Sequence, residues 1–218
     1  MRDNAGVSAS DFHAGRLLVA RPSMLDPNFE HSVVLLLDHD ADGALGVVLN
    51  RPTEVSVSEV LPGWSALVSA PPVVFRGGPV ATDSALGVAE VAGEDEPLGF
   101  RTMFTRADGA AQPVNVPASA PAPAAAGARR GRTGLIDLDT PTELLSGALT
   151  SLRIFAGYAG WAAGQLEHEL ADGGWALVDS LDTDLQVAEA ATLWRRVLRR
   201  QGGKLALLST FRGDPGLN

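Results

Sequence analysis

Two strand-like runs in the sequence end on groups suited to holding an anion. LGVVLN at 45–50 passes directly into Arg51 and Pro52, and VVF at 73–75 runs into Arg76, Gly77, Gly78 and Pro79. An arginine presents a planar fork of donors that matches a carboxylate or phosphate. A Gly-Gly turn lets backbone N–H groups come close to such a ligand. Strands ending on the same side of a sheet would bring Asn50, Arg51, Arg76, Gly77 and Gly78 to one small anionic site. The plainer reading pairs Arg51 with Asp26, Asp38 or Glu54 and leaves Gly77-Gly78-Pro79 as a turn.

Four other constellations invite chemistry. Asp26, Ser32 and His39, with Phe29 between them, offer the residue types of a hydrolytic triad. No G-x-S-x-G elbow accompanies them, and Ser32 opens a strand. HELAD at 168–172 resembles half of a zinc-binding H-E-x-x-H helix, but Asp172 stands where the second histidine belongs and glycines follow. Tyr158, Trp161 and Gln165 lie in a small-residue stretch, AGYAGWAAGQ, where aromatic rings either line a pocket or fill a core. RRVLRR at 195–200, with Lys204, is a dense basic run. It reads as a contact for nucleic acid or an acidic partner, or as cations placed favourably at a helix C-terminus. None of these is a complete catalytic set, so the reading leans away from an enzyme. No metal or cofactor is expected.

The elements that must position these groups follow from apolar patterning. Strands are expected at 16–20, 32–38, 45–50, 73–75, 86–91, 99–104, 133–139, 151–159 and 174–179. The run SVVLLLD at 32–38 lacks alternation, as a strand covered on both faces would. With the turn DHDADGA it predicts an antiparallel hairpin to 45–50. Pro52 lacks an N–H, so the ladder ends or meets an edge there. Helices are expected at 55–64, from a Thr140 cap in TPTE, at 161–170, and at 187–200. In the last of these Leu193, Trp194, Val197 and Leu198 face inward. KLALLS at 204–209 suits either a strand or a helix. Residues 1–14 read as a flexible tail. Residues 106–132, rich in Ala, Pro and Gly, read as a disordered low-complexity insertion within one domain spanning 15–218.

Composition narrows the classes. The chain has 218 residues, 45% of them hydrophobic, and a formal net charge of -9. Such a surface disfavours direct nucleic-acid contact. No cysteine is present, which excludes disulfides and thiolate chemistry. The apolar runs are far shorter than the ~20 residues a membrane helix needs. A cytoplasmic location is the expectation.

GRLLVARPSMLDPNFEHSVVLLLDH at 15–39, GALGVVLNRP at 43–52, GGPV at 77–80 and RIFAGYAGWAAGQLEHEL at 153–170 together resemble the YqgE/AlgH family of bacterial proteins. The order of elements, strands first and then strands mixed with helices, favours a single α+β domain with a large mixed β-sheet flanked by helices, and the resemblance implies a compact cytosolic protein with such a sheet. It implies no particular reaction. A label of transcriptional regulator attached to some members names a phenotype more than a mechanism. The expectation is a non-catalytic protein that binds a small anionic ligand or a protein partner. The alternatives are a transcriptional regulator, acting directly or indirectly, and an enzyme of unknown reaction using the strand-end pocket.

Overall fold

A computed structural model describes residues 12–93, 95–107, 110–113 and 131–211. Eleven strands form one sheet among them. They are β1 (Arg16–Ala20), β2 (Val33–Asp40), β3 (Gly43–Val48), β4 (Pro52–Ser56), β5 (Val73–Arg76), β6 (Val80–Ala92), β7 (Phe100–Ala107), β8 (Ala110–Pro113), β9 (Gly131–Ile136), β10 (Leu149–Ala162) and β11 (Trp175–Asp179). Their order is β11-β1-β2-β3-β10-β6-β9-β7-β8, with β5 also on β10 and β4 on β5. Five short helices accompany them: α1 (Val57–Val60), α2 (Gln165–Ala171), α3 (Asp182–Leu185), α4 (Leu193–Arg200) and α5 (Gly203–Leu208).

The long strand β10 joins two half-sheets. Its first part pairs with β6 and β5, and its last four residues pair with β3. The pairing with β6 shifts register between Ala156 and Tyr158, at the point where the other partner of β10 changes from β5 to β3. Gly157 sits there at φ +69°, a conformation that a side chain would strain.

Alternation along the strands divides the core into three layers. Val33, Leu35 and Leu37 of β2 face a central cluster, with Phe75, Phe155, Phe104, Trp194 and Val197. Val34 and Leu36 face the opposite way, toward Trp161, Trp175 and Leu166 of α2. The two-sided cover expected for β2 is therefore present. Across the other half-sheet Ile154, Val74 and Leu152 meet Val57 and Trp64.

Several expectations need correction. The fold is mainly β and nearly all antiparallel; β5 with β10 is the one parallel pairing among the described strands. Among the described residues no helix exceeds the eight residues of α4. At Pro52 the expectation holds: β3 ends before it, and the strand that it opens, β4, pairs with β5 alone and so lies at an edge. Residues 161–162 belong to β10, so α2 starts later than the pattern implied. Thr140 caps nothing: the turn after it is a 3-10 helix, Thr142–Leu145, without a side-chain cap. Within 106–132 the ladder continues through the end of β7, β8 and the start of β9. Antiparallel backbone bonds need no large apolar side chains, which is why composition concealed them. Residues 108–109 and 114–130 of that stretch, and 1–11 of the expected tail, lie outside the described residues. Among the described residues no helix is long and apolar enough to cross a membrane.

Candidate functional site

The two strand ends lie side by side but do not form one cradle: the cleft beside Asn50 and Arg51 is not lined by Arg76, Gly77 or Gly78, and the amides of Arg76 and Gly77 are taken up by backbone carbonyls. The Arg76 amide donates to the Arg51 carbonyl at 2.8 Å, and the Val48 amide donates to the Gly77 carbonyl at 2.8 Å. Gly77 and Gly78 are buried, and the Gly77 amide donates to the Ala156 carbonyl at 2.8 Å. A Cβ on Gly77 would lie 2.1 Å from the Gly157 carbonyl oxygen, and one on Gly78 would lie 2.2 Å from the Tyr158 backbone. The glycine pair lets the exit of β5 pack directly on β10.

Asn50 and Arg51 turn toward the loop of residues 21–32. Asn50 accepts from the Val33 amide at 2.9 Å and donates to the His31 carbonyl at 2.8 Å. Arg51 donates to the carbonyls of Pro27 at 2.9 Å and Glu30 at 3.0 Å. Its hydrogen-bond partners are thus carbonyls and not the carboxylates weighed from the sequence. Burial, then the charge of Arg76, pushes the Arg51 pKa below the usual guanidinium value, and Glu30 and Asp26 act in the opposite sense.

These anchors shape a cleft of about 450 Å³ lined by Glu30, His31, Asn50, Arg51, Trp194 and Arg195. His31 holds φ +53°, unusual for a residue with a side chain. Its ring meets Trp194 edge-on at 4.6 Å, and Nδ1 lies 3.4 Å from the Glu30 carboxylate. Trp194 donates its indole N–H to the Ala20 carbonyl at 2.7 Å, which fixes the start of α4. Arg195 follows on the exposed side of that helix. Sequence reasoning missed the union of Arg195 with Arg51, because the two lie far apart in the chain. It also missed His31, whose only local sign is its place before a strand.

The remaining candidates separate. Ser32 and His39 stand at opposite ends of β2, some 20 Å apart at the usual rise per residue. Ser32 is buried and its hydroxyl has no partner. His39 is buried; Nδ1 accepts from the His13 amide at 3.0 Å and Nε2 contacts Glu167 Oε1 at 2.7 Å. Asp26 is exposed in the 21–32 loop. No hydrolytic triad is assembled. Half-buried Tyr158 packs against the central cluster. Gln165 and Asp26 line a second cavity of about 450 Å³ beside Trp161. His168 and Asp172 form an exposed pair at 3.2 Å, and among the described residues no group of three or more ligand-type side chains is arranged for a metal.

Arg153 is a further residue that sequence reasoning left unassigned. It is only 1% exposed, lies 4.4 Å over the Phe75 ring, and donates to the carbonyls of Leu49, Ala70 and Val187. Burial lowers its pKa to about 10 while the charge of Glu90 acts to raise it, so it is cationic at neutral pH. Buried Glu90 accepts from Ser151 at 2.7 Å and Gln186 at 2.9 Å.

A family model described as AlgH-like matches residues 17–206. The chain belongs to the AlgH-like family. Its bacterial relatives include a UPF0301 protein of Streptomyces avermitilis, 48% identical over 98% of this chain and 100% of the relative. A UPF0301 protein of Thermobifida fusca is 44% identical over 94% of each chain. An X-ray structure of a Corynebacterium diphtheriae protein is similar at a TM-score of 0.72 and 29% identity, covering 97% of this chain and 95% of that one. The solution structure of the AlgH protein from Pseudomonas aeruginosa is similar at 0.58 and 26% identity, covering 96% and 99%. The family resemblance read from the four segments is thereby confirmed, and the AlgH-like fold extends across nearly the whole chain.

Proposed function

We propose that this AlgH-like protein is a non-catalytic, cytoplasmic binding protein whose cleft beside Arg51 and Arg195 holds a small anion such as a phosphate or carboxylate. The observation that carries the reading is the convergence of two guanidinium-bearing residues, Arg51 and Arg195, with His31 and Asn50 on one opening. The chain as a whole is acidic, so this gathering of donors is local. Guanidinium N–H groups not spent on the loop carbonyls can bind an oxyanion in a charge-assisted way.

Isothermal titration with inorganic phosphate, pyrophosphate and a nucleotide panel tests the reading. Saturable binding that weakens at least fivefold in Arg195→Ala is expected. Among the described residues Arg195 makes no hydrogen bond or ion pair, so that variant separates binding from stability. Silence across the panel with folded protein removes the proposal.

The regulator reading has its own support in the exposed Arg195, Arg196 and Arg199 of α4. Sequence-selective DNA binding, lost on replacing those three and falling steeply with salt, would favour it over the small anion.

A further inference from the structure

On the far side of the 21–32 loop lies a cavity of opposite character. Its lining includes Met24, Asp26, Phe29, Trp161, Glu169 and Asp172. The Phe29 and Trp161 rings stack at 6.2 Å with 28° between planes. Trp175 stands edge-on to both, at 5.4 Å and 6.2 Å. Both indoles donate to a single oxygen of Glu169, Trp161 at 2.9 Å and Trp175 at 2.8 Å. Gln165 donates to the other oxygen at 2.9 Å, and its own carbonyl is held by the Ala162 amide at 3.1 Å.

Glu169 is therefore a carboxylate fixed by three neutral donors. No lysine, arginine or histidine pairs with it among the described residues. Asp26 and Asp172 add two more carboxylates to the cavity, and the exposed His168 partners Asp172 at the edge. An anion here would meet three like charges. A neutral apolar ligand would cover Glu169 without supplying a counter-charge, which is costly. An organic cation answers both features: its charge pairs with the carboxylates, and its alkyl portion lies against the Phe29 and Trp161 side chains that line the cavity. The cavity volume falls within the usual range for small-ligand sites.

We propose that this cavity binds an alkylammonium or alkylguanidinium group, carried either by a free amine or by a lysine or arginine side chain of a peptide. The proposal is independent of the anion cleft. The test is an NMR titration of the four indole N–H resonances with agmatine, spermidine and a blocked arginine peptide, with glutarate as the anionic control. Saturable shifts of Trp161 and Trp175, with Trp64 and Trp194 unmoved, are expected for the cations and not for glutarate. Tighter binding of agmatine or spermidine assigns a free amine, and tighter binding of the peptide assigns a protein side chain.

Glu169→Gln is expected to weaken binding about tenfold or more. Because that residue also ties two indoles, the exposed pair Asp26→Asn and Asp172→Asn supplies a second variant, with binding weakened at least threefold and an unchanged Tm. No saturable shift of Trp161 and Trp175 with any cation at millimolar concentration overturns the proposal, as does affinity unaffected by all three substitutions.

Discussion

Single side chains on backbone carbonyls decide how the rim is built. Asn50 closes two bonds across the start of β2. Its replacement by alanine leaves the Val33 amide and the His31 carbonyl unpaired, and urea unfolding should report a loss of about 2 kcal/mol. The sequence marks Asn50 and Arg51 as polar groups at a strand end. It does not reveal their partners, because the carbonyls of Pro27, Glu30 and His31 leave no trace in residue type. Arg153 was more legible than its neglect suggests: an arginine two residues from Phe155 in an apolar strand must point into the core or break the pattern. Arg153→Met leaves the buried carbonyls of Leu49, Ala70 and Val187 without their guanidinium donor, removes the positive charge that acts on Glu90, and should cost about 3 kcal/mol or more. Adding Glu90→Gln should recover part of that loss in a double-mutant cycle. Strict additivity of the two losses would show that the charges do not interact.

At the scale of elements, patterning performed well where strands alternate or are covered on both faces, as β2, β3, β10 and β11 are. It performed poorly where a strand is exposed and polar. The first half of β6, VATDSA, is held by pairing with β10, a long-range bond invisible to local composition. The glycine pair after β5 reads in the sequence as a turn, with or without an anion at its N–H groups, whereas its lack of side chains serves contact with β10. Gly78→Ala places a methyl 2.2 Å from the Tyr158 backbone and should destabilise by about 3 kcal/mol or more. Gly63→Ala is the matched control, since nothing lies within 4 Å of its added Cβ, and should stay within about 0.5 kcal/mol. Equal Tm values for the two variants would remove the packing argument.

Over the whole molecule, β10 belongs to both half-sheets, so neither half keeps its ladder once β10 is lost. Far-ultraviolet circular dichroism and tryptophan fluorescence should therefore trace one shared urea transition. Two resolved transitions would show that the halves are separable. The 21–32 loop carries a different implication. One of its sides is gripped by Arg51, and the other presents Asp26 and Phe29. If a guest on either side shifts this loop, the wall that the opposite guest meets shifts with it. Thermodynamic reciprocity then demands that saturating agmatine change the pyrophosphate dissociation constant by the same factor that saturating pyrophosphate changes the agmatine constant. One short run of chain would in that way let the protein sense two small molecules of opposite charge as a single combined signal.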